Sequence, residues 1–474
     1  MVALQALAML AALPTILAHH EQTLGVFIFH RHGDRTSKAH APTRLTELGQ
    51  HQVLTAGDYF RDKYVTSDYP IHQVSQEVVV NSQINVEAPV DVVLQNSAQA
   101  FLQGLYPPLK DTVGTQELAN GTKVFSPLNL IPVNQVSSAI KIESDADPEN
   151  VHFLQGISGC DAAITSSKKY YESEEFKTLE ASTEDFYQRL VPVINGTFDA
   201  DYASFKNAYS IYDLINVAVI NNRTIPSSEL LDKDTLFQLR TLADKQQFGL
   251  AYSKDEPERA IAGRELAAQI VQHLDEVISS KSASKIGIQF GAYATFLSFF
   301  GAAQLTSVSD DFTGVVDYAS SMTFEMFTEK DVTQGFPDIE DIKVRFLFSN
   351  GSASYMGQEA YPLFGQENTV LPYSTFKSEM EKFAISTAQE WCEVCGADSC
   401  PINSSSDIKV AQQSNLGGMS LYAAGVIGAF VTMVFVLGVQ SLIMFFGGMR
   451  VVSKKSMEEQ AATAALAAKE AQFA

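Results

Sequence analysis

The chain has 474 residues, with 33 lysines and arginines against 55 aspartates and glutamates, for a formal charge of -22. This acidic balance excludes nucleic acid as a partner, because phosphate backbones are gripped by clustered cations. An anionic small molecule has to be captured by local cations working against the field of the whole protein.

Residues 1–18, MVALQALAMLAALPTILA, are apolar and end on the small residue Ala18. The pattern is that of a secretory signal peptide cleaved before His19, with a buried first helix as the alternative. Residues 24–29, LGVFIF, are continuously apolar and predict a short buried strand. The strand runs into R-H-G-D-R, from Arg31 to Arg35. Gly33 lets the backbone turn sharply and approach a ligand. Arg31 and Arg35 each offer a planar fork of donors suited to phosphate oxygens. His32 between them can attack phosphorus and form a phosphohistidine that water later hydrolyses. The flanking guanidiniums favour the neutral imidazole and stabilise charge on the transferring group. The bland alternative is a surface loop with chance charges.

Residues 44–65 place Leu48, Val53, Leu54, Tyr59, Phe60 and Tyr64 at helical spacing, with Thr46 as N-cap and an acidic first turn. A β-rich run at 76–86 and a helix-like run at 90–106 follow, closed by Pro107 and Pro108. Strand, helix, strand, helix is the order of an α/β sheet with crossover helices. Residues 120–258 carry charged helical patches and predict a helical cap inserted into an α/β domain of residues 19–119 and 259–400. Strand character returns at 285–290, 318–329 and 342–357, the last two reading as an antiparallel pair with Asn350-Gly351 as the exit turn.

The four cysteines are Cys160, Cys392, Cys395 and Cys400. In an oxidising compartment they make two disulfides, with three connectivities open. Cys392 and Cys395 also have zinc-like spacing, but no histidine follows His273 to complete a ligand set, so no metal is expected. Sequons at Asn120, Asn195, Asn222, Asn350 and Asn403 favour a glycosylated ectodomain. Residues 401–418 read as a stalk. The stretch 421–446, 26 residues without a charge, is long enough to cross a bilayer, within an expected span of 419–447. Arg450, Lys454 and Lys455 then place the tail, 448–474, in the cytoplasm. The expectation is a type I single-pass protein of the secretory route, at the cell surface or on a vacuolar or endosomal membrane.

Beyond the R-H-G-D-R loop, RLTELGQHQ, SAQAFLQGLYPP, YASSMTFEMF, VRFLFSNGS and the segments around the cysteines are similar to the histidine acid phosphatases, in the branch of fungal secreted phosphatases and phytases. The likeness spans about residues 22–401. It implies a three-layer α/β sandwich with a central mixed sheet, a mostly helical second domain, and a site between them that uses no cofactor. It also implies the pairings Cys160–Cys400 and Cys392–Cys395. Arg31, His32 and Arg35 match the family's first arginine, nucleophile and second arginine. The family's third arginine falls on Val93, four residues before Ser97, and its His-Asp pair falls on Tyr293-Ala294. A shift of two residues offers Gly291-Ala292, which supplies no carboxylate either. Glu325, on another strand, is the alternative carboxylate.

A positioned general acid is worth ~10²–10⁴-fold, and a charge-assisted hydrogen bond from arginine roughly 1.5–3 kcal/mol. Two readings follow. One is a phosphomonoesterase working through phospho-His32, limited to esters with good leaving groups. The other is a phosphatase fold that binds a phosphorylated ligand or partner without turnover.

Overall fold

The strand expected at 24–29 is the middle of β1, Gln22–Arg31, in the computed structural model of the chain. That structure describes residues 21–110, 115–136, 157, 159–280, 284–333 and 335–396. Val26 and Ile28 face one apolar core, Phe27 and Phe29 the other, as the two-residue period of a strand requires. A strand covered on both faces reads as an unbroken apolar run, which is why LGVFIF shows no alternation.

β1 pairs in parallel with β6, Ile286–Gly291, and antiparallel with β7, Ser321–Thr328. Next to β6 come β2, Ile84–Pro89, and β5, Asn134–Val136, both parallel. Beyond β7 come β8, Ile342–Ser349, and β10, Val370–Pro372, both antiparallel. A short strand β9, Glu359–Tyr361, also pairs with β8. The central sheet is therefore mixed.

Helices cover both faces. On one side lie α1, Glu47–Tyr64, and α2, Val92–Leu105, whose apolar stripes meet Val26, Ile28, Ile286 and Ile288. These two helices cross at glycines. A Cβ on Gly57 would sit 2.0 Å from the Phe101 carbonyl oxygen, and one on Gly104 would sit 2.1 Å from that of Leu54. On the other side lie α9, Ile261–Ser280, α10, Tyr293–Ala302, and α12, Tyr373–Glu381, while the short α11, Ala353–Met356, meets α1 through Ser354 and Thr55.

Residues 115–125 form an exposed hairpin of β3, Thr115–Glu117, and β4, Lys123–Phe125. Helices then fill the region expected to be a cap: α3, Asp161–Lys169; α4, Glu174–Ser182; α5, Glu184–Arg189; α6, Val191–Ile194; α7, Ala208–Asn221; and α8, Lys233–Ala251. Tyr187, Phe205, Ile211 and Leu239 centre a separate apolar core here. The described residues all fall in one compact unit.

Two expectations are corrected. Residues 76–83 are not part of a strand. The amides of Ser75 and Val79 donate to the side-chain oxygens of Gln83 and Asn129, so the backbone is held by side chains and not by a ladder. The cysteine pairing also differs: Cys160 is bonded to Cys395, with Cα atoms 4.6 Å apart. Cys392 and Cys395 share α13, Ala388–Cys395, at i and i+3. That spacing separates Cβ atoms by roughly 5–6 Å, whereas a disulfide needs about 3.5–4.5 Å. Cys392 is disulfide-bonded too, and Cys400 lies outside the described residues.

Also outside them are residues 1–18, the stalk, the 419–447 segment, the tail and Asn403. Among the described residues no helix is long and apolar enough to cross a membrane.

Candidate functional site

The R-H-G-D-R loop leaves the C-terminal end of β1 and is fastened on three sides. The Arg31 amide donates to the Ser320 carbonyl at 2.8 Å, and the His32 carbonyl accepts from Ala319 at 2.9 Å. The Gly33 amide donates to Ser97 Oγ on α2 at 3.2 Å. Thr46, the N-cap of α1, accepts from Gly49 and donates to the Asp34 carboxylate at 2.5 Å. Gly33 is required by contact: a Cβ there would lie 2.3 Å from the Gly49 carbonyl oxygen.

His32 is buried, and its Nδ1 lies 2.8 Å from the Gly33 carbonyl oxygen. A carbonyl only accepts, so Nδ1 carries the proton and Nε2 keeps its lone pair. Burial, then Arg31, Arg35 and Lys38, hold the imidazole well below its ordinary pKa. The ring is thus neutral, as a nucleophile must be.

Arg31 donates to the Val316 carbonyl and stacks over Tyr318 at 4.5 Å and Tyr293 at 5.4 Å. Arg35 is fully buried and pairs with Asp213 of α7 at 2.9 Å, with Tyr209 Oη at 3.4 Å. The Nε–H groups of both arginines are buried without an acceptor. Such donors each cost about 1–3 kcal/mol, and an oxyanion suits both of them.

Val93 is buried one turn before Ser97 on α2, the face that meets Gly33. Tyr293 opens α10, its ring 4.7 Å from Tyr209, and its hydroxyl donates to Gln247 at 2.9 Å. Ala294 follows with no polar side chain. Glu325 lies far from the loop. It pairs in register with Val26, five residues before Arg31 and so about 17 Å down the strand. There it is held by Arg345, and by Tyr64 Oη at 2.6 Å.

Several neighbours of the loop carry no local signature in the sequence. Asp213 also accepts from Ser37 Oγ at 2.9 Å and from the Lys38 amide at 2.8 Å. Arg240, Asp244 and Gln247 repeat at i, i+4 and i+7 on α8, one polar stripe of the helix. They hold Asp317 at 2.8 Å, the Val315 amide at 2.8 Å, and Tyr293 respectively. Burial foremost pushes the Asp244 carboxyl up to about 6. Among the described residues no cluster of His, Cys, Asp or Glu converges as a metal site.

Residues 40–349 match the sequence model of the histidine phosphatase superfamily, branch 2, starting just after the R-H-G-D-R loop. The chain belongs to this superfamily. Solved structures agree in fold. A phytase from Klebsiella sp. ASR1 aligns at 11% identity and TM-score 0.52 over 81% of this chain and 99% of its own. One from Citrobacter braakii aligns at 13% identity and TM-score 0.51 over 78% and 99%. No curated protein matches in sequence. At such identities the superfamily likeness fixes the fold and leaves the substrate open.

Proposed function

We propose that the chain hydrolyses phosphate monoesters through a phosphohistidine at His32. The neutral His32 with Nε2 unprotonated, between Arg31 and Arg35, is the observation that carries this reading. Nε2 attacks phosphorus, a P–N bond forms, and the ester P–O bond breaks with its electrons leaving on the alcohol oxygen. Water then attacks the phosphohistidine, the P–N bond breaks and orthophosphate departs. Arg31 and Arg35 bind the phosphoryl oxygens and offset their growing charge.

No carboxylic acid stands at 294, and the Tyr293 hydroxyl is engaged by Gln247. A leaving group must therefore depart largely unassisted, which favours phenols over aliphatic alcohols. The contrary reading, ligand binding without turnover, draws on the same two features and on the pairing of Arg35 with Asp213. The deciding assay compares wild type with His32→Ala on an aryl and an alkyl phosphate, with acid-quench trapping of phosphohistidine. Turnover of the aryl ester at least ~10²-fold above the alkyl ester, lost in His32→Ala, is expected. Identical behaviour of the two proteins, with nothing trapped, would sink the hydrolase.

The same proposal places the chain in the secretory route as a type I membrane protein. Asn120, Asn195 and Asn222 are exposed, and the Cys160–Cys395 bond suits an oxidising compartment. Glycosidase treatment of membrane-associated protein should lower its apparent mass; an unchanged, carbonate-extractable protein would refute this.

A further inference from the structure

The site has a companion on the cap. Between α7 and α8 runs a groove of about 240 Å³ lined by Tyr212, Asn216, Val219, Leu236, Phe237, Leu239 and Arg240. Two of its lining residues, Tyr212 and Arg240, neighbour residues that touch or flank the phosphate loop. Tyr212 is 6.4 Å ring to ring from Tyr209, whose hydroxyl meets Arg35, and Arg240 reaches Asp317 beside Tyr318. The Tyr212 phenol, raised to about 12 chiefly by burial, also feels Arg31 and Asp317. Much of the remaining lining is apolar, with Phe237 70% and Val219 44% exposed.

We propose that this groove receives the organic half of the substrate, and that the substrate is an aromatic ester bearing one phosphate. The proposal rests on the hydrolase reading and adds the substrate class to it. Three observations converge. A cavity of about 150 Å³ already accommodates a benzene ring, so this groove takes one or two fused rings. Tyr212 and Phe237 offer faces and edges for aromatic packing. A phenolate also leaves without the carboxylic acid that position 294 lacks.

Charge argues against a polyphosphate. Among the described residues, Arg35 and Arg240 are paired with Asp213 and Asp317, and only Arg31 of the three guanidiniums has no carboxylate partner. Asp244 adds another acid, 3.9 Å from the groove's Arg240. One phosphate finds cations here; further phosphates meet carboxylates.

The test uses the full chain as wild type, Phe237→Ala and Val219→Trp, both at exposed positions outside the phosphate loop. Substrates are 1-naphthyl phosphate, glycerol 2-phosphate and inositol hexakisphosphate, and binding of 1-naphthyl phosphonate is titrated separately. Wild type is expected to prefer 1-naphthyl phosphate. Phe237→Ala should lower its kcat/KM about tenfold, through KM, matching the loss of roughly one ring contact. Glycerol 2-phosphate should be turned over equally by all three proteins, and Val219→Trp should obstruct the naphthyl compounds alone. Equal effects on all substrates, no effect of either variant, or a preference for inositol hexakisphosphate overturns the groove while leaving hydrolysis intact. Phosphonate binding that depends on Phe237 but comes without turnover keeps the groove and removes the hydrolase. Absence of both binding and turnover removes both.

Discussion

Asp213 is the residue on which the R-H-G-D-R loop leans most heavily. It holds the fully buried Arg35, the Ser37 hydroxyl and the Lys38 amide at once. Removing one partner of a buried pair strands the other charge, at about 3–5 kcal/mol. Asp213→Ala is accordingly expected to lower stability by that amount in a denaturant titration. Asp213→Asn should lose less, since it still accepts from the Ser37 hydroxyl and the Lys38 amide. Equal stability of Asp213→Ala and wild type would show that Arg35 finds another partner. This residue also marks the limit of what the sequence discloses. Arg31, His32 and Arg35 are legible because five consecutive residues carry the chemistry. Asp213, Tyr318 and Arg240 are brought to them from positions 178 to 287 residues away by packing, and no local pattern announces that.

At the scale of elements, local rules served well where an element declares itself by period and cap. The Thr46 cap of α1 and the antiparallel β7–β8 pair lie where their spacing predicts. The valine run at 78–80 misled, because β-branched residues resemble a strand whether or not a ladder is available. Val78 and Val80 are instead exposed. The crossing of α1 and α2 could not be read at all, since Gly57 and Gly104 matter only through the helix each one touches. Gly104→Ala should push α1 away from α2, because its new methyl meets the Leu54 carbonyl and the Asp58 amide. Overpacking against backbone is expected to cost about 3 kcal/mol, seen as a lower Tm, together with weaker turnover as Ser97 and Thr46 lose their grip on the loop. An unchanged Tm and rate would mean that the helices can separate freely.

For the whole molecule, acid is the expected weakness. His30 and His273 are buried, and burial lowers each from 6.5 to about 4. Between those values the unfolded chain binds protons that the folded one refuses. Stability is therefore full above pH 6.5 and declines as pH falls toward 4, by about 3 kcal/mol for each histidine. His30→Phe keeps a ring among Phe60, Phe101 and Phe290 and removes one of these titrations. Its Tm should fall less steeply than that of wild type between pH 7 and pH 4; parallel curves would exclude His30 as a source.

The position of β1 has a consequence for how the protein is made. The first strand described is also the centre of the sheet, and its two neighbours, at 286–291 and 321–328, are the product of much later translation. At ~5–20 residues per second, LGVFIF and the loop behind it wait roughly 13–52 s on the ribosome before the first neighbour exists. During that interval the nascent chain carries a bare apolar strand, the type of segment that self-associates. The R-H-G-D-R loop is thus synthesised long before the strands that hold it in place.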